Sequence, residues 1–508
     1  MNSSILKALR NNSILVLALS TLLACSKDSE DATSSSGSSS AVTIDSTTTT
    51  SASPEGNTDT ASDEDDLIAN STFSSQVLIT FGSSVSITNP LSASGVTVTE
   101  SNGDVEINSS VAEVEYVLSG TTTSGSVKIY SDKKFKLTLN GVDITNTDGP
   151  AINIQSSKRA FVVINDNTIN TLTDGSSYTA STTDEDMKGT LFSEGQLIFS
   201  GDGSLSIKGN YKHAICSDDY VRIISGAITV SGATSDGIHT NEAFIADGGT
   251  VTITASNDGI QCEEGYIVMN AGTYTINSVD KGISASYDTD TSIDPYLTIN
   301  GGTISVNSSA GEGIESKSTL TVNDGAITVK TYDDGLNAST AIYINGGKIY
   351  SYSSNNDGID SNGILTVTGG ISVSVGAGSP EEGFDCDQNT FKITGGILVG
   401  MGGATSTPTS SVTTQTAVIL GSGTASQLFH IETTDGTEAL TLLIPRSYTT
   451  MLFSSPKLST GKTYSIYTGG SVSNTTEWNG LYLTGTYTPG TQSSTFTTSS
   501  IVTNVSGK

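Results

Sequence analysis

Along most of the chain, apolar residues alternate with polar ones in short runs. One set comprises Val221-Arg222-Ile223, Tyr266-Ile267-Val268, Leu320-Thr321-Val322, Ile342-Tyr343-Ile344, Leu365-Thr366-Val367 and Phe391-Lys392-Ile393. A second follows small-residue turns, as in Gly248-Gly249-Thr250-Val251-Thr252-Ile253 and Gly301-Gly302-Thr303-Ile304-Ser305-Val306. A period of two in Val, Ile, Thr and Tyr predicts strands. The glycine pairs, repeated at Gly346-Gly347, Gly369-Gly370 and Gly395-Gly396, supply the positive φ that a sharp corner needs. A third set opens on an acid: Asp236-Gly237-Ile238, Asp258-Gly259-Ile260, Glu312-Gly313-Ile314, Asp334-Gly335-Leu336, Asp357-Gly358-Ile359 and Glu382-Gly383-Phe384. Lys281-Gly282-Ile283 and His213-Ala214-Ile215 hold the same place with altered chemistry. The phrase returns every 22 to 25 residues, with one longer interval.

Three strands per repeat, with no helical pattern between them, predict an all-β fold: a right-handed parallel β-helix. Hairpin signals for an up-and-down barrel are missing, and a propeller blade needs a longer repeat. The texture extends back through Phe135–Gly141 and more weakly to Val77–Phe81. The expected organisation is a signal peptide over 1–24, a disordered Ser/Thr/Asp-rich stalk over 25–70, the β-helix over 71–410 and a β-rich cap over 411–508. A cap is required because an open solenoid end templates aggregation. Tyr287–Pro295 reads as a loop extruded from one corner.

Stacking repeats also stacks their side chains. With Ile238, Ile260, Ile314, Leu336, Ile359 and Phe384 facing inward, His239, Gln261, Glu315, Asn337, Asp360 and Asp385 face out. Thr240, Cys262, Ser316, Ala338, Ser361 and Cys386 then return to the interior. One wall is polar and rich in oxygen. Carboxylates at strand spacing repel one another, and two readings answer that repulsion. Either the acids cap corner N–H groups and face water, or they bind calcium, which accepts six to eight oxygens. The leading calcium group is Glu312, Glu315, Asp333, Asp334, Asp357 and Asp360. A second is Glu381, Glu382, Asp385 and Asp387, and a third Asp258, Glu263 and Glu264.

Composition sharpens the choice of partner. The net charge is −30, from 52 acidic and 22 basic residues. Nucleic acid and anionic lipid surfaces both want a basic footprint, so neither is an expected partner. An acidic polysaccharide would need a divalent cation between itself and the wall. Lys7 and Arg10 precede an apolar run ending Leu22-Leu23-Ala24-Cys25, which predicts a lipoprotein signal peptide with lipid attached at Cys25. The expectation is a monomeric outer-membrane lipoprotein, exposed at the cell surface and touching the membrane only through that anchor. The odd set Cys216, Cys262 and Cys386 argues against a disulfide framework.

Catalysis has less to point at. His213, His239 and His430 show no ligand or nucleophile spacing. Lys281, Lys317 and Arg222 are the basic residues expected near the wall. Lys317 or Lys281 is the candidate base for a uronate lyase, against a salt bridge as the plainer role. Trp478 and Tyr482 suit either sugar stacking or cap packing.

Several motifs in order carry a family resemblance: Leu139-Asn140-Gly141-Val142-Asp143-Ile144, Gly149-Pro150-Ala151-Ile152, Asn170–Gly175, Gly209–Ile215, and the acid-Gly-Ile coils. Over residues 80–400 the chain resembles the bacterial carbohydrate-binding β-helix family first described in a cellulolytic clostridium. That resemblance implies a pectate-lyase-like β-helix that binds calcium and plant-wall polysaccharide, cellulose or acidic pectic chains, without established lyase activity; the expectation is binding without chemistry. Lys281 and His213-Ala214 depart from the pattern, so the calcium ladder is not expected to be regular. A calcium-dependent lyase and a protein-binding adhesin are the rival readings.

Overall fold

The computed structural model describes residues 41–47, 49–181 and 185–505. The expected signal peptide, Cys25 and the stalk as far as residue 40 lie outside the described residues. The rest is a β-solenoid, as the periodicity predicts. Each repeat sends one strand to each of three sheets. The site sheet stacks thirteen strands, from Val96–Ser101 to Phe384–Asp385. After an opening antiparallel pair, its neighbours are parallel. A second sheet includes Tyr220–Ile223, Tyr266–Met269 and Ala341–Ile344, and a third includes Thr250–Ala255, Thr273–Ser278 and Thr303–Ser308.

Register is kept from coil to coil. Ile215, Ile238, Ile260, Ile283, Ile314, Leu336, Ile359 and Phe384 are successive partners. All are fully buried, each contributing about 1.5–3 kcal/mol by leaving water. Cys262 and Cys386 face inward as small fillers, and all three described cysteines are free and buried. Interior hydroxyls are satisfied locally: Ser361 Oγ donates to the Ile364 carbonyl at 2.8 Å and Ser316 Oγ to that of Pro295 at 2.7 Å. The glycine after each corner acid has a different job from the one expected of the glycine pairs. Gly259 needs no positive φ; a Cβ there would collide with the Gly282 carbonyl and Ile276. The second glycine of a pair does take the left-handed turn, with φ 91° at Gly302 and 74° at Gly347.

Residues 41–70 correct the expectation of a disordered stalk. Val42–Asp45 pairs antiparallel with Thr484–Tyr487. The chain then runs along the outside of the second sheet towards the first coils, as a strap. Asn270, Asn300, Asn323 and Asn345 form a ladder in which each amide donates to the acceptor of the preceding coil at 2.8 Å. The other hydrogen of each amide goes to a strap carbonyl: Thr60, Asp59, Asn57 and Glu55 in turn, at 2.8–2.9 Å. At the far end Asp66 is buried between Arg159 (2.7 Å) and Arg222 (3.2 Å), with Tyr220 donating at 2.7 Å. A polar segment is thus ordered by groups it does not itself contain. Arg222, expected near the wall, points from the second sheet into this strap.

The parallel ladder changes character at its far end. Ile397–Gly402 pairs antiparallel with Thr450–Ser454, which ends the parallel ladder. A five-stranded sheet of Val42–Asp45, Leu481–Thr497, Glu438–Leu443, Leu428–Thr433 and Thr463–Trp478 lies beyond. Trp478 packs edge-on against Tyr350, 6.3 Å between centroids, so cap packing is its role here.

Candidate functional site: a carboxylate wall

The wall is built by two rows of side chains on the site sheet. The corner row runs His213, Asp236, Asp258, Lys281, Glu312, Asp334, Asp357 and Glu382. Its backbone is a ladder, in which the N–H after a corner residue donates to the corner carbonyl of the next coil, as Gly335 N does to Asp357 O at 3.1 Å and Gly358 N to Glu382 O at 3.0 Å. The outward row runs His239, Gln261, Ser284, Glu315, Asn337, Asp360 and Asp385, each in register with the next.

Corner aspartates divide their two oxygens. Asp334 Oδ1 accepts the Asp357 amide at 2.9 Å, Asp258 Oδ1 the Lys281 amide at 2.8 Å, and Asp357 Oδ1 the Glu382 amide. The capping reading of the acidic phrase therefore holds at these corners. One oxygen caps the next corner, and the other remains for different work.

Which work depends on the neighbours. Asp334, Asp357 and Asp360 come together, with one oxygen from each lying within 4.8 Å of the others. Asn337 links two of them, its Nδ2 donating to Asp334 Oδ2 at 3.1 Å and Asp360 Oδ2 at 2.8 Å. Burial first, and then the neighbouring carboxylates, push Asp357 up to about 7 and hold Asp334 and Asp360 well above the usual carboxylate range. Among the described residues, no basic side chain forms an ion pair with any of the three.

One coil on, a cleft of about 590 Å³ is lined by Asp357, Glu381, Glu382, Asp385, Asp387 and Ser406. Glu382 Oε2 is buried without a hydrogen-bond partner, and burial, then Asp385, push its carboxyl up to about 8. Asp385 is more occupied: its Oδ1 accepts from the Cys386 amide, the Asp387 amide and Ser406 Oγ at 2.6, 3.0 and 2.9 Å. Asp387 was expected in the outward row. Instead the strand stops at Asp385, and Asp387 sits in a left-handed turn at φ 48°.

Other expected ligands have other partners. Glu315 is only 1% exposed and lies between Lys281 Nζ at 3.1 Å and Lys317 Nζ. It also accepts from Ser284 Oγ at 3.1 Å. Glu312 lies 3.9 Å from Lys281. Asp333 accepts from Asn356 Nδ2 at 2.7 Å and does not join the cluster. Glu263 Oε2 is 3.2 Å from His239 Nε2, and Asp258 caps its corner. Of the six residues grouped in the sequence reading, the structure brings together three, Asp334, Asp357 and Asp360. The view that the histidines lack ligand spacing also needs correction. Register brings His213 and His239 to the same oxygen of Asp236, at 3.1 and 3.0 Å. The signal was legible only after noticing that His213 holds the corner place one coil before Asp236.

Fold and wall define a parallel β-helix protein with an oxygen-donor face. The chain belongs to the carbohydrate-binding domain-containing protein family, whose sequence model matches residues 94–358 and again 297–488. A relative in Acetivibrio thermocellus, described as a carbohydrate-binding domain-containing protein, is 30% identical over 118 residues, covering 23% of this chain and 41% of that one. The alignment therefore spans less than half of the relative. Among solved structures, a polysaccharide lyase-like protein from C. thermocellum, determined as a gadolinium derivative, is 22% identical with a TM-score of 0.36, over 57% of this chain and 96% of that one.

Proposed function

We propose that the protein holds polysaccharide on this wall without catalysis, through calcium bound at Asp334, Asp357 and Asp360. The observation that carries the reading is the meeting of three largely buried carboxylates with no cation of the chain's own beside them. Like charges so placed are costly in a medium of reduced dielectric. A donor set made only of oxygens suits a hard dication. The unpartnered Glu382 Oε2 in the next coil offers a further donor. Calcium bound there would turn a repelling face into one that accepts the carboxylates and hydroxyls of an acidic glycan. Membership of a carbohydrate-binding family supports the polysaccharide part of the reading. Anchorage through Cys25 at the outer membrane, with the wall presented at the cell surface, completes the proposal.

The lysine geometry disfavours the lyase alternative. A base must shed its proton, whereas Lys281 and Lys317 both clasp Glu315. Burial of Lys281 acts downward on its pKa, but Glu315 and Glu312 more than offset that and hold its ammonium above the ordinary range. The test is retention on polygalacturonate and on cellulose, with calcium and with chelator, for the wild type and for Asp357→Asn/Asp360→Asn. Calcium-dependent retention lost in the double variant is expected. Equal retention under all four conditions sinks the calcium bridge, and release of unsaturated product sinks the non-catalytic reading.

A further inference from the structure

The opposite end of the wall carries a site of different chemistry. Asp236 Oδ1 is already engaged, accepting from the Asp258 amide at 3.1 Å and from Asn257 Nδ2 at 2.7 Å. Its Oδ2 faces two imidazoles, His213 Nδ1 at 3.1 Å and His239 Nδ1 at 3.0 Å. The rings stack with centroids 4.2 Å apart and planes inclined by 21°. All three residues are buried, His213 to 1% exposure.

Counting protons shows what is missing. A neutral imidazole has one N–H to give. His239 meets a carboxylate oxygen at each nitrogen, Asp236 at Nδ1 and Glu263 Oε2 at 3.2 Å from Nε2. One proton serves only one of them, and the other contact sets a lone pair against an anionic oxygen. His213 Nδ1 accepts from the Asp236 amide at 3.4 Å, so its contact with Oδ2 also sets a lone pair against an anionic oxygen, and its Nε2 is buried with no hydrogen-bond partner. One positive centre beside Oδ2 is needed, and either a second proton on His239 or a metal ion supplies it.

We propose that His213 Nδ1, Asp236 Oδ2 and His239 Nδ1 bind a borderline transition-metal dication of the zinc class, with Glu263 orienting His239 from behind. The donor atoms all lie within 4.8 Å of one another. A tetrahedral ion at about 2.0–2.1 Å from each donor sets the donors about 3.3 Å apart, close to the 3.0 and 3.1 Å found around Oδ2. Two nitrogens in three donors favour this class of ion over calcium. A carboxylate on the far nitrogen is the usual second partner of a metal-bound histidine, fixing its tautomer. Three protein donors leave a fourth position for solvent or a ligand. The site is independent of the calcium proposed at Asp334, Asp357 and Asp360, since it shares no residue with that cluster.

The test uses the tag-free full chain, stripped with chelator, and titrated with Zn²⁺ by calorimetry and with Co²⁺ by visible absorption. One equivalent of zinc is expected, with the intense cobalt bands of a low-coordinate site. His213→Gln and His239→Gln should each weaken zinc by more than tenfold. Glu263→Gln should weaken it by about tenfold, as loss of an outer partner does. Asp357→Asn/Asp360→Asn should leave it unchanged. Less than one equivalent of zinc, or a cobalt spectrum that stays that of the hydrated ion, overturns the proposal on the wild type alone. Equal affinity in folded His239→Gln overturns it as well, and a protonated His239 is then the cation.

Discussion

Glu315 and Asp360 occupy the same outward place two coils apart, yet they live in opposite electrostatic worlds. Glu315 is enclosed by two lysines of its own chain. Asp360 has Asn337, Asp334 and Asp357 around it and forms no ion pair among the described residues. The wall is therefore divided into a stretch that neutralises itself and a stretch whose carboxylates form no ion pair among the described residues. An acid at the repeating slot does not define a ligand; the residue one coil away does.

The sharpest way to break this comparison is to strip Glu315 of its lysines. In Lys281→Met/Lys317→Met a buried carboxylate loses both partners, and breaking such pairs costs about 3–5 kcal/mol. Lys317 is 42% exposed, so about 3 kcal/mol is expected in chelator, read from denaturant unfolding. Calcium should then restore part of the loss, because the self-neutralised stretch has been made to resemble the other. A variant that unfolds with wild-type stability, or ignores calcium, removes the distinction.

Next in size is the strap. Asn323→Ala/Asn345→Ala leaves the Asn57 and Glu55 carbonyls and part of the amide ladder without donors, at about 1–3 kcal/mol for each buried group. Proteolysis between residues 50 and 60 should accelerate while the calcium response stays intact. Cleavage at wild-type rate means the ladder does not hold the strap.

The strap also marks where sequence reasoning stops. The coils were legible because each carries its own signal: Ile238 to Phe384 recur at coil spacing, and Gly302 and Gly347 sit where a corner must turn. The strap's order comes from Asn270, Asn300, Asn323 and Asn345, hundreds of residues away, and its own Ser, Thr and Asp content looks like that of a free tether. The same limit applied at the site. Stacking of Asp334, Asp357 and Asp360 followed from the period, but neutralisation of Glu315 from the preceding corner required knowing that Lys281 reaches across. The histidine pair was hidden for the same reason.

A smaller effect separates the two stretches by pH. Asp357 and Glu382 are raised to about 7 and 8, and Asp334 and Asp360 are raised too. The native state then keeps protons that unfolded carboxylates have released. Stability from these groups is full below about pH 4 and is lost as pH rises through 7 to 8. In chelator, Asp357→Asn/Asp360→Asn should match the wild type at pH 4 and become the more stable of the two by pH 8. Calcium should reverse that order at pH 8. Parallel melting curves across the range refute the link.

The smallest expected effect is the most discriminating. Asp258 and Asp357 hold the same corner place, each raised to about 7 mainly by burial. Each gives Oδ1 to the next corner amide. Replacement by Asn keeps that acceptor, so neither substitution removes the cap. Asp258 faces Asp236 and lies near Lys281, and it has no place in the aspartate cluster; Asp357 sits inside it. Asp258→Asn should therefore change stability by no more than about 0.5 kcal/mol at pH 4, where the carboxyl is protonated, and leave the calcium titration at pH 8 as it was. Asp357→Asn should abolish the titration with a fold equally intact by circular dichroism. If both variants lose calcium binding, the corner carboxylates act as one continuous ladder; if neither does, they are caps and nothing more.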